Sequence, residues 1–336
     1  MKIAIVNRSN SFSTRWIDYC QRKNIEYKLV NPYANDIVGQ VADCDAFMWH
    51  FHHGDYRDMQ FAKSLIITLE SKGVRCFPDI RTCWHFDDKI AQKYLLESVG
   101  APLVPSYVFY SEREALDWAN ATTYPKVFKL KGGAGANNVM LARTKKDAVR
   151  LINQSFGKGF RQYRWREHFK ESWRLYKLGK NTFHDVLRTL YYALKKYPTE
   201  FDHYHGREKG YAYFQDFIPN NDYDTRVVII EERAMAEKRY CRRDDFRASG
   251  SGVFEYGKID DRILEIAFKI SKKLDMQSVA FDFILDRGEP LIVEISYGFG
   301  THGISRSSGY WTSDMQWHEV CNFDFCGWMV ENLIRQ

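Results

Sequence analysis

The sequence lacks the features that would assign it at once to several broad classes of protein. No stretch of about 18 consecutive apolar residues occurs, so a membrane-spanning helix is not expected. The N-terminal segment has neither a long apolar run nor a small-residue cleavage site, so no signal peptide is predicted. Low-complexity tracts and internal repeats are also absent. Membrane-spanning, collagen-like and disordered classes are therefore excluded, and 45% apolar with 27% charged residues is ordinary globular composition.

Cysteine occurs seven times, but no pair has the CxxC spacing of a metal site. Cys321 and Cys326 are the nearest pair in the sequence. A disulfide scaffold uses an even number of closely spaced cysteines in a short chain, and this chain is neither short nor even in cysteine number. We therefore expect reduced cysteines that fill the core, and a cytoplasmic protein.

Positive charge is confined to one segment. The net charge of the chain is +6, and residues 157–209 contain thirteen Lys and Arg against six Asp and Glu. Because the remainder is close to neutral, a protein that coats nucleic acid over its whole surface is not expected. Twelve aromatic residues are interleaved with these charges. The segment is interpreted as a solvated helical hairpin, as a surface for an acidic glycan or peptide, or as a basic amphipathic surface on a membrane, with nucleic acid less favoured.

Alternating strands and helices are predicted over the first 85 residues. The predicted strands are Lys2–Val6, Ile25–Val30 and Ala46–Phe51. This alternation favours a parallel sheet with helices on its faces. No GxGxxG motif follows the first strand, so a dinucleotide site is not supported there.

Hairpins and helices are predicted further along the chain. The basic segment is expected to form two helices, broken near Gly179 and Pro198. Two apolar strands joined by the turn at residues 286–289 form the strongest hairpin signal. A last amphipathic helix is predicted over Met315–Ile334.

A glycine-rich loop, residues 131–138, lies between two predicted strands, Lys126–Lys131 and Val139–Ala142. It is not a P-loop, because a P-loop opens a helix. Small residues nevertheless allow backbone N–H groups to approach a phosphate closely. Lys129 shares a strand face with Val127, opposite Phe128. An inward lysine beside an anion-binding loop favours phosphate contact. The alternative is a flexible hairpin turn with solvated lysines.

Two apolar strands each contain one acidic residue. Asp282 and Glu294 share one face if these strands pair, and Ser296 has the same direction as Glu294. A carboxylate inside an apolar strand is costly unless it is paired or bound to a metal. Two carboxylates and a neutral oxygen suit Mg²⁺, which leaves positions for phosphate oxygens and water. The alternative is that both acids pair with structural Arg or Lys residues.

The ordered set of these motifs resembles the ATP-grasp superfamily, in particular its branch with ribosomal-protein glutamate ligases and glutathione synthetase. The resemblance runs from Asp88 to Ser305, about two thirds of the chain. It implies an α/β protein in which two α+β lobes clasp ATP, preceded by an N-terminal parallel α/β domain. The implied domains are residues 1–85, residues 86–218 with a glycine-rich loop, and residues 219–336 with the metal site. Relatives have a much shorter connection where this chain has residues 157–209.

The resemblance also implies roles for individual residues. Lys89 and Lys129 match the two phosphate-binding lysines of the family, and the glycine-rich loop that cradles phosphate contains Gly132, Gly133 and Gly135. The segment from Phe214 resembles the hinge that binds adenine, through Gln215, Asp216, Phe217 and Ile218. Asp224 matches an acid near the ribose, while Arg226 and Arg247 match arginines that stabilise the transferring phosphoryl group. Asp282, Glu294 and Ser296 match the metal ligands of the family.

Three departures from the family pattern stand out. Ser296 replaces an asparagine and is a shorter ligand, and Asp216 replaces the usual glutamate. Asn137 and Asn138 occupy loop positions where relatives often have glycine, and asparagine tolerates the left-handed backbone conformation better than most residues. No carboxylate of the metal site is lost.

The implied activity is a Mg-ATP-dependent ligase, with Mn²⁺ as an alternative to Mg²⁺. The γ-phosphoryl group of ATP is transferred to a carboxylate, and an amine then attacks the acyl phosphate to form an amide. The substrates are an amino acid or amine with a sugar carboxylate or a peptide. The alternatives are an ATP-grasp kinase, which leaves phosphate on its product, and a non-catalytic nucleotide-binding module. Removal of Asp282 or Glu294 is expected to affect kcat more than the fold.

Two loops are candidates for contacts with the substrate. Relatives bind substrate just beyond the metal strand, where this chain has His302 and Arg306. The second loop follows an N-terminal strand and contains His52 and His53, and ligands bind at the carboxyl ends of parallel strands. Zinc is not favoured there, because the histidine cluster lacks a fourth ligand nearby.

Overall fold

The structure is a computed structural model that describes residues 1–133, 138–161, 165–177, 179, 181–195, 199–241, 246–248, 250, 252–320 and 322–335. The chain divides into two compact units. Unit 1 comprises residues 1–53, 57–104 and 218–336, and unit 2 comprises residues 54–56 and 105–217. The three domains inferred from the sequence stay a prediction.

The N-terminal part of unit 1 contains a four-stranded parallel sheet with the order β2-β1-β3-β4. The strands are β1 (Lys2–Val6), β2 (Glu26–Val30), β3 (Ala46–Met48) and β4 (Arg75–Phe77). The helices are α1 (Phe12–Lys23), α2 (Ile37–Gln40), α3 (Tyr56–Ser71), α4 (Ile80–Cys83) and α5 (Lys89–Ser98). The parallel α/β arrangement predicted for the first 85 residues is confirmed.

Unit 2 is built on an antiparallel sheet with the order β5-β10-β6-β7, and a short β8–β9 pair lies apart from it. Its strands are β5 (Ser106–Phe109), β6 (Lys126–Lys129), β7 (Val139–Ala142), β8 (Phe160–Arg161), β9 (Arg207–Glu208) and β10 (Ala212–Asp216). Its helices are α6 (Glu112–Ala121), α7 (Lys145–Phe156), α8 (Trp165–Lys177), α9 (Phe183–Leu194) and α10 (Glu200–His205). The predicted β6–β7 hairpin is confirmed, and the basic segment forms α8 and α9, which are followed by the short α10.

The C-terminal part of unit 1 contains an antiparallel sheet with the order β15-β14-β11-β12-β16-β17, and β13 pairs with β12. Its strands are β11 (Tyr223–Ile230), β12 (Arg233–Tyr240), β13 (Phe254–Glu255), β14 (Ser278–Asp286), β15 (Glu289–Ser296), β16 (Gly309–Thr312) and β17 (Trp317–Glu319). Its helices are α11 (Asp261–Lys273), α12 (Thr301–Ile304) and α13 (Phe325–Arg335).

The helix predicted over Met315–Ile334 is wrong in its first half. Residues 317–319 form β17, which pairs with β16, and α13 begins only at Phe325. Met315 has a φ of 67° in the turn before β17, a left-handed conformation that interrupts a helix. The rings of Trp311 and Trp317 pack 4.4 Å apart across the hairpin. This cross-strand packing competes successfully with the helical periodicity.

The cysteines that the structure describes are all free thiols. Five of these six side chains are buried, and Cys241 is half-buried. Burial raises the pKa of the Cys20 thiol to about 11 and that of the Cys326 thiol to about 12. The expectation of reduced core cysteines therefore agrees with the described part of the chain, and Cys321 lies outside it. Within the same residues, no helix combines the length and the apolar character needed to cross a membrane.

Candidate functional site

A row of four charged side chains crosses the C-terminal sheet of unit 1. Glu294 on β15 lies opposite Asp282 on β14, and Asp282 lies opposite Arg226 on β11. Arg226 in turn lies opposite Glu237 on β12. Directly opposite residues of an antiparallel pair project to the same face. The structure thus places Asp282 and Glu294 on one face, as the sequence predicted.

A β-bulge makes this arrangement compatible with the apolar core. The register shifts between Asp282 and Phe283, so that Phe283 pairs with Ile292 instead of with Val293. Regular alternation would put Ile292 on the same face as Glu294. The bulge turns Ile292 into the core, where Phe283 also lies, and leaves Glu294 on the charged face.

Asp282 is held by two arginines. Its Oδ1 accepts a hydrogen bond from Arg226 Nε at 2.8 Å, and its Oδ2 accepts one from Arg226 Nη2 at 2.9 Å. Arg239 Nη2 lies 2.7 Å from the same Oδ2. Burial by itself would raise the pKa of Asp282, but the two guanidinium groups outweigh it and lower that pKa. Asp282 therefore pairs with arginines, which is the alternative to metal binding that the sequence left open for both acids.

Asp224 forms a second buried pair, with Arg239. Arg239 Nε and Nη2 donate to its two carboxylate oxygens at 2.7 and 2.6 Å, a bidentate geometry. Arg239 thereby joins Asp224 to Asp282. The sequence analysis missed Arg239, although Glu237 and Arg239 stand two residues apart in β12 and so share one strand face, and that spacing is the available signal. The ribose contact proposed for Asp224 stays a prediction.

Glu237 is a buried carboxyl group that the sequence analysis also missed. Its side chain is 2% exposed, and its Oε2 has no hydrogen-bond partner among the described residues. Burial raises its pKa to about 7. Helix α12 covers it closely, since a Cβ at Gly303 would lie 2.0 Å from Oε2. A glycine is therefore required at position 303 while Glu237 keeps this position.

We expect Glu237→Gln to change the pH dependence of stability. A carboxyl group with a higher pKa in the folded state stabilises that state while protonated, and this contribution is lost as the pH rises from about 4.3 toward the folded value. The variant does not titrate, so wild type should lose Tm relative to it between about pH 4 and pH 7 and little more above that. Thermal unfolding across that range checks this, with the exposed Glu265→Gln as the control. Parallel Tm curves for wild type and Glu237→Gln would contradict the expectation.

Glu294 and Ser296 complete the predicted metal ligands. Glu294 is half-buried, and its side chain forms no hydrogen bond or ion pair with the described residues. Ser296 Oγ donates to the carbonyl of Gly298 at 2.6 Å. Among the described residues no group of three or more His, Cys, Asp or Glu side chains is placed to hold a metal ion. Two adjacent carboxylates still fit Mg²⁺, which usually binds few protein oxygens and keeps water or phosphate oxygens as its other ligands.

Lys89 lies at the first turn of α5, which packs on β15. Asp88 caps α5 by accepting hydrogen bonds from the amides of Ile90 and Ala91 at 3.1 and 3.0 Å. One turn further on, Gln92 Oε1 accepts a hydrogen bond from the Ile295 amide of β15 at 3.4 Å. The Lys89 side chain itself is 7% exposed. The helix cap and this contact fix where the lysine stands.

The N-terminal histidine loop is held in place by polar contacts. Asp58 Oδ2 accepts hydrogen bonds from Arg8 Nη1 and from the His52 amide, both at 2.6 Å. The His50 ring stacks on Phe12 with centroids 3.8 Å apart. Burial lowers the pKa of His50 to about 3, and those of His52 and His53 to about 4. These imidazoles are therefore neutral at physiological pH.

The loop that follows β15 packs against this histidine loop. Tyr297 donates its hydroxyl hydrogen bond to the carbonyl of Phe51 at 2.8 Å. A Cβ at Gly298 would lie 3.1 Å from His50 Nε2, which shows how closely the backbone approaches the ring. The structure thus brings the two loops proposed for substrate together. His302 on α12 and Arg306 just beyond it are both exposed.

In unit 2, Lys129 points to the strand that carries the predicted adenine hinge. Its Nζ donates to Gln215 Oε1 at 2.6 Å, and Gln215 Nε2 donates to Ser106 Oγ at 3.1 Å. Lys129 and Gln215 are both buried. The two predicted cofactor residues therefore lie side by side.

The glycine-rich loop is described only at its two ends. Gly133 has a φ of 117° and Asn138 a φ of 64°, so asparagine adopts the left-handed conformation expected of it. The Lys131 amide donates to the hydroxyl of Tyr211 at 2.7 Å, which anchors the start of the loop next to Gly132. Gly135 and Asn137 lie outside the described residues.

One backbone amide of the predicted adenine hinge already donates a hydrogen bond within the protein. The Asp216 amide donates to the carbonyl of Pro105 at 2.8 Å, and its carboxylate lies 2.5 Å from Lys126 Nζ. The contact of this segment with the base stays a prediction. Arg247 is half-buried, and residues 242–245 and 249 on either side of it lie outside the described part of the chain.

Solved structures of known proteins share this fold over the whole chain. A RimK domain ATP-grasp protein from Sphaerobacter thermophilus superposes with a TM-score of 0.58 at 14% identity, covering 99% of this chain and 100% of that one. D-alanine–D-alanine ligase from Bacillus anthracis with bound ATP gives 0.56 at 12% identity, covering 100% and 98%. A biotin carboxylase domain of 2-oxoglutarate carboxylase from Hydrogenobacter thermophilus, with MgADP and bicarbonate, gives 0.60 at 14% identity, covering 100% and 70%. The chain has the ATP-grasp fold.

The particular family is indicated by sequence. Residues 208–314 match the model of the RimK-like ATP-grasp domain, which spans β9 to the turn after β16. The match covers about a third of the chain, and together with the shared fold it confirms the resemblance inferred from the sequence. No curated protein matches the chain by sequence.

Proposed function

We propose that the protein is a Mg-ATP-dependent ligase that joins a carboxylate to an amine. The observation that carries this proposal is the placement of Glu294 beside Asp282 on one sheet face, within the region that matches the RimK-like domain. ATP and MgADP are bound by the structural relatives of this fold named above. An intact pair of carboxylates in the corresponding lobe favours the same cofactors here, with Mn²⁺ as the alternative metal.

The reaction proceeds in two steps. The γ-phosphoryl group of ATP is transferred to a carboxylate oxygen, giving an acyl phosphate and ADP. The amine nitrogen then attacks the acyl carbon, phosphate leaves, and a proton is released as the amide forms. Phosphoryl transfer needs little covalent chemistry from the protein, which supplies positioning and charge. Mg²⁺, when bound, neutralises charge on the phosphate oxygens.

We assign phosphate binding and charge stabilisation to different charged residues. Lys89, Lys129 and the backbone of the glycine-rich loop bind phosphate oxygens. Arg226 and Arg247 offset negative charge on the transferring group. Arg226 is preorganised for this by its two hydrogen bonds to Asp282, because a guanidinium held in place needs no reorganisation during the reaction.

The remaining predicted residues bind the nucleoside and the substrates. Gln215 and the backbone of Phe217 and Ile218 hold the base, and Asp224 lies toward the ribose. The histidine loop and the loop after β15 form the substrate wall, with His52, His53, His302 and Arg306. Neutral imidazoles at His52 and His53 suit hydrogen bonds to a polar substrate more than charge pairing.

The proposed substrates are an amino acid or amine and the carboxylate of a sugar polymer or a peptide. A D-alanine–D-alanine ligase among the structural relatives joins small molecules, as its name states, and the fold therefore supports this class of reaction. The free thiols of the described cysteines fit a reducing compartment, and a cytoplasmic location belongs to the proposal.

Trapping with hydroxylamine tests the proposal. The protein is incubated with Mg-ATP, hydroxylamine and pools of sugar acids, amino acids and peptides, and hydroxamates are sought by mass spectrometry. Hydroxylamine replaces the unknown amine, so only the carboxylate must be supplied. Wild type and Glu289→Gln, an exposed acid at the far end of β15, should form a hydroxamate, and Glu294→Gln should not. Phosphorylated product without hydroxamate would indicate a kinase, and absence of ATP turnover with Mg²⁺ or Mn²⁺ would indicate a non-catalytic module.

A further inference from the structure

Helix α9 exposes its large apolar side chains. The exposed fractions are 51% for Phe183, 48% for Leu187, 40% for Leu190, 58% for Tyr191 and 88% for Leu194. Residues spaced by three, four and seven positions lie on one side of a helix, so these five side chains form a single stripe. The stripe faces solvent.

The side of the helix pair that is buried carries smaller or polar residues. On α9 the buried side chains include Val186 and Thr189. On α8, Ser172 is buried and accepts a hydrogen bond from Asn181 Nδ2 at 2.9 Å, whereas Trp173 and Tyr176 are 39% and 40% exposed. A helix that only covers a core turns its larger apolar residues inward. In α8 and α9 the larger apolar side chains are exposed instead, which indicates a surface that binds an apolar partner.

The exposed residues of the two helices are continuous. Rings follow one another from Phe169 to Trp173 at 6.3 Å, from Trp173 to Tyr176 at 5.7 Å, and from Tyr176 to Phe183 at 5.8 Å. Phe183 begins the α9 stripe. We call this surface the α8–α9 face, and it consists of Trp173, Tyr176, Phe183, Leu187, Leu190, Tyr191 and Leu194.

Positive charges border the α8–α9 face. Lys177 Nζ lies 5.9 Å from the centre of the Trp173 ring, and Lys195 Nζ lies 4.8 Å from that of Tyr191. Arg188 lies 5.8 Å from the ring of Tyr192. Residues 165–195 contain seven Lys and Arg against three Asp and Glu. The apolar stripe is thus combined with a positive field.

We propose that the α8–α9 face binds the surface of an anionic lipid bilayer. Leucines and aromatic rings enter the boundary between headgroups and acyl chains, and the neighbouring cations attract anionic headgroups. The three exposed leucines distinguish this occupant from a glycan or a single-stranded nucleic acid, which stack on aromatic rings. A second copy of the chain would bring two positively charged faces together in an isologous contact. This inference is independent of the proposed ligase activity.

Vesicle sedimentation tests this proposal with the full chain. Wild type should bind vesicles of phosphatidylcholine mixed with phosphatidylglycerol, should bind phosphatidylcholine alone much less, and should dissociate as salt is raised. Leu190→Ser combined with Leu194→Ser should weaken binding about tenfold or more, because buried apolar area is lost without any change in charge. Leu29→Ser is the matched control, since Leu29 is 54% exposed on β2.

Three outcomes would overturn the proposal. The first is that wild type does not bind anionic vesicles. The second is that the double leucine variant binds them as wild type does, which would mean that positive charge alone is responsible. The third is a dimer in solution that the double variant dissociates, which would make a second copy the occupant. Far-UV circular dichroism and Tm confirm that the variants fold, as expected for exposed positions.

Discussion

Glu294→Gln should lower kcat by about 10²–10³ while leaving Tm unchanged, by analogy with the removal of one preorganised charge-stabilising group. The substitution removes a negative charge from the proposed metal site and keeps the size of the side chain. Stability should not change, because the half-buried side chain of Glu294 forms no hydrogen bond or ion pair with the described residues. Steady-state release of ADP and thermal unfolding, measured on the same preparation, check both parts.

The matched control for Glu294→Gln lies on the same strand. Glu289 is at the other end of β15, and its side chain contacts the exposed Arg262 at 3.3 Å. Glu289→Gln should therefore retain the kcat of wild type. A normal kcat for Glu294→Gln would remove Glu294 from the metal site, and a Tm that falls by many degrees would show that this carboxylate has a structural role instead.

Asp282→Asn should lower the free energy of unfolding by about 3–5 kcal/mol, the usual cost of removing one partner from a buried ion pair. Arg226 loses the carboxylate that it pairs with, and Arg239 keeps only its pair with Asp224. The sequence alone predicted that this substitution would affect kcat more than the fold. The ion pairs of Asp282 lead us to expect a large loss of stability for this residue as well, whereas the prediction for Glu294 is unchanged.

Urea unfolding measures the effect of Asp282→Asn directly. The control is Asp286→Asn, at the half-buried end of the same strand, which should change stability by less than about 0.5 kcal/mol. Adding Arg226→Met to Asp282→Asn should restore part of the lost stability, because it removes an unpaired buried charge. Equal stability of wild type and Asp282→Asn would contradict the ion-pair network described above.

Local sequence patterns predicted the elements of the site well. Strand alternation and turn residues predicted the hairpins that carry Lys129 and the acidic pair, and the acids do share a face. Asp88, directly before Lys89, is a residue type that favours a helix N-cap, and it caps α5 in the structure. These features depend on neighbours within a few residues, which a sequence displays directly.

Features that depend on long-range register were not predicted. The partners of Asp282 come from β11 and β12, more than forty residues away in the chain, and the choice of Arg239 depends on how these strands align. The β-bulge next to Asp282 was not predicted either, and it is the feature that lets Ile292 and Ile295 both be buried although they are three residues apart in one strand. The last predicted helix failed where the pairing of β16 with β17 overrode a helical pattern.

The order in which the chain is synthesised does not match the order in which its cores are completed. One hydrophobic core of unit 1 contains Ile3 and Trp16 together with Met329 and Leu333. The N-terminal sheet therefore cannot bury this face until the residues up to Leu333 have left the ribosome. The core of unit 2 uses residues between Tyr107 and Phe214. We expect the middle of the chain to complete its core first, and both ends of the chain to depend on chaperones for longer.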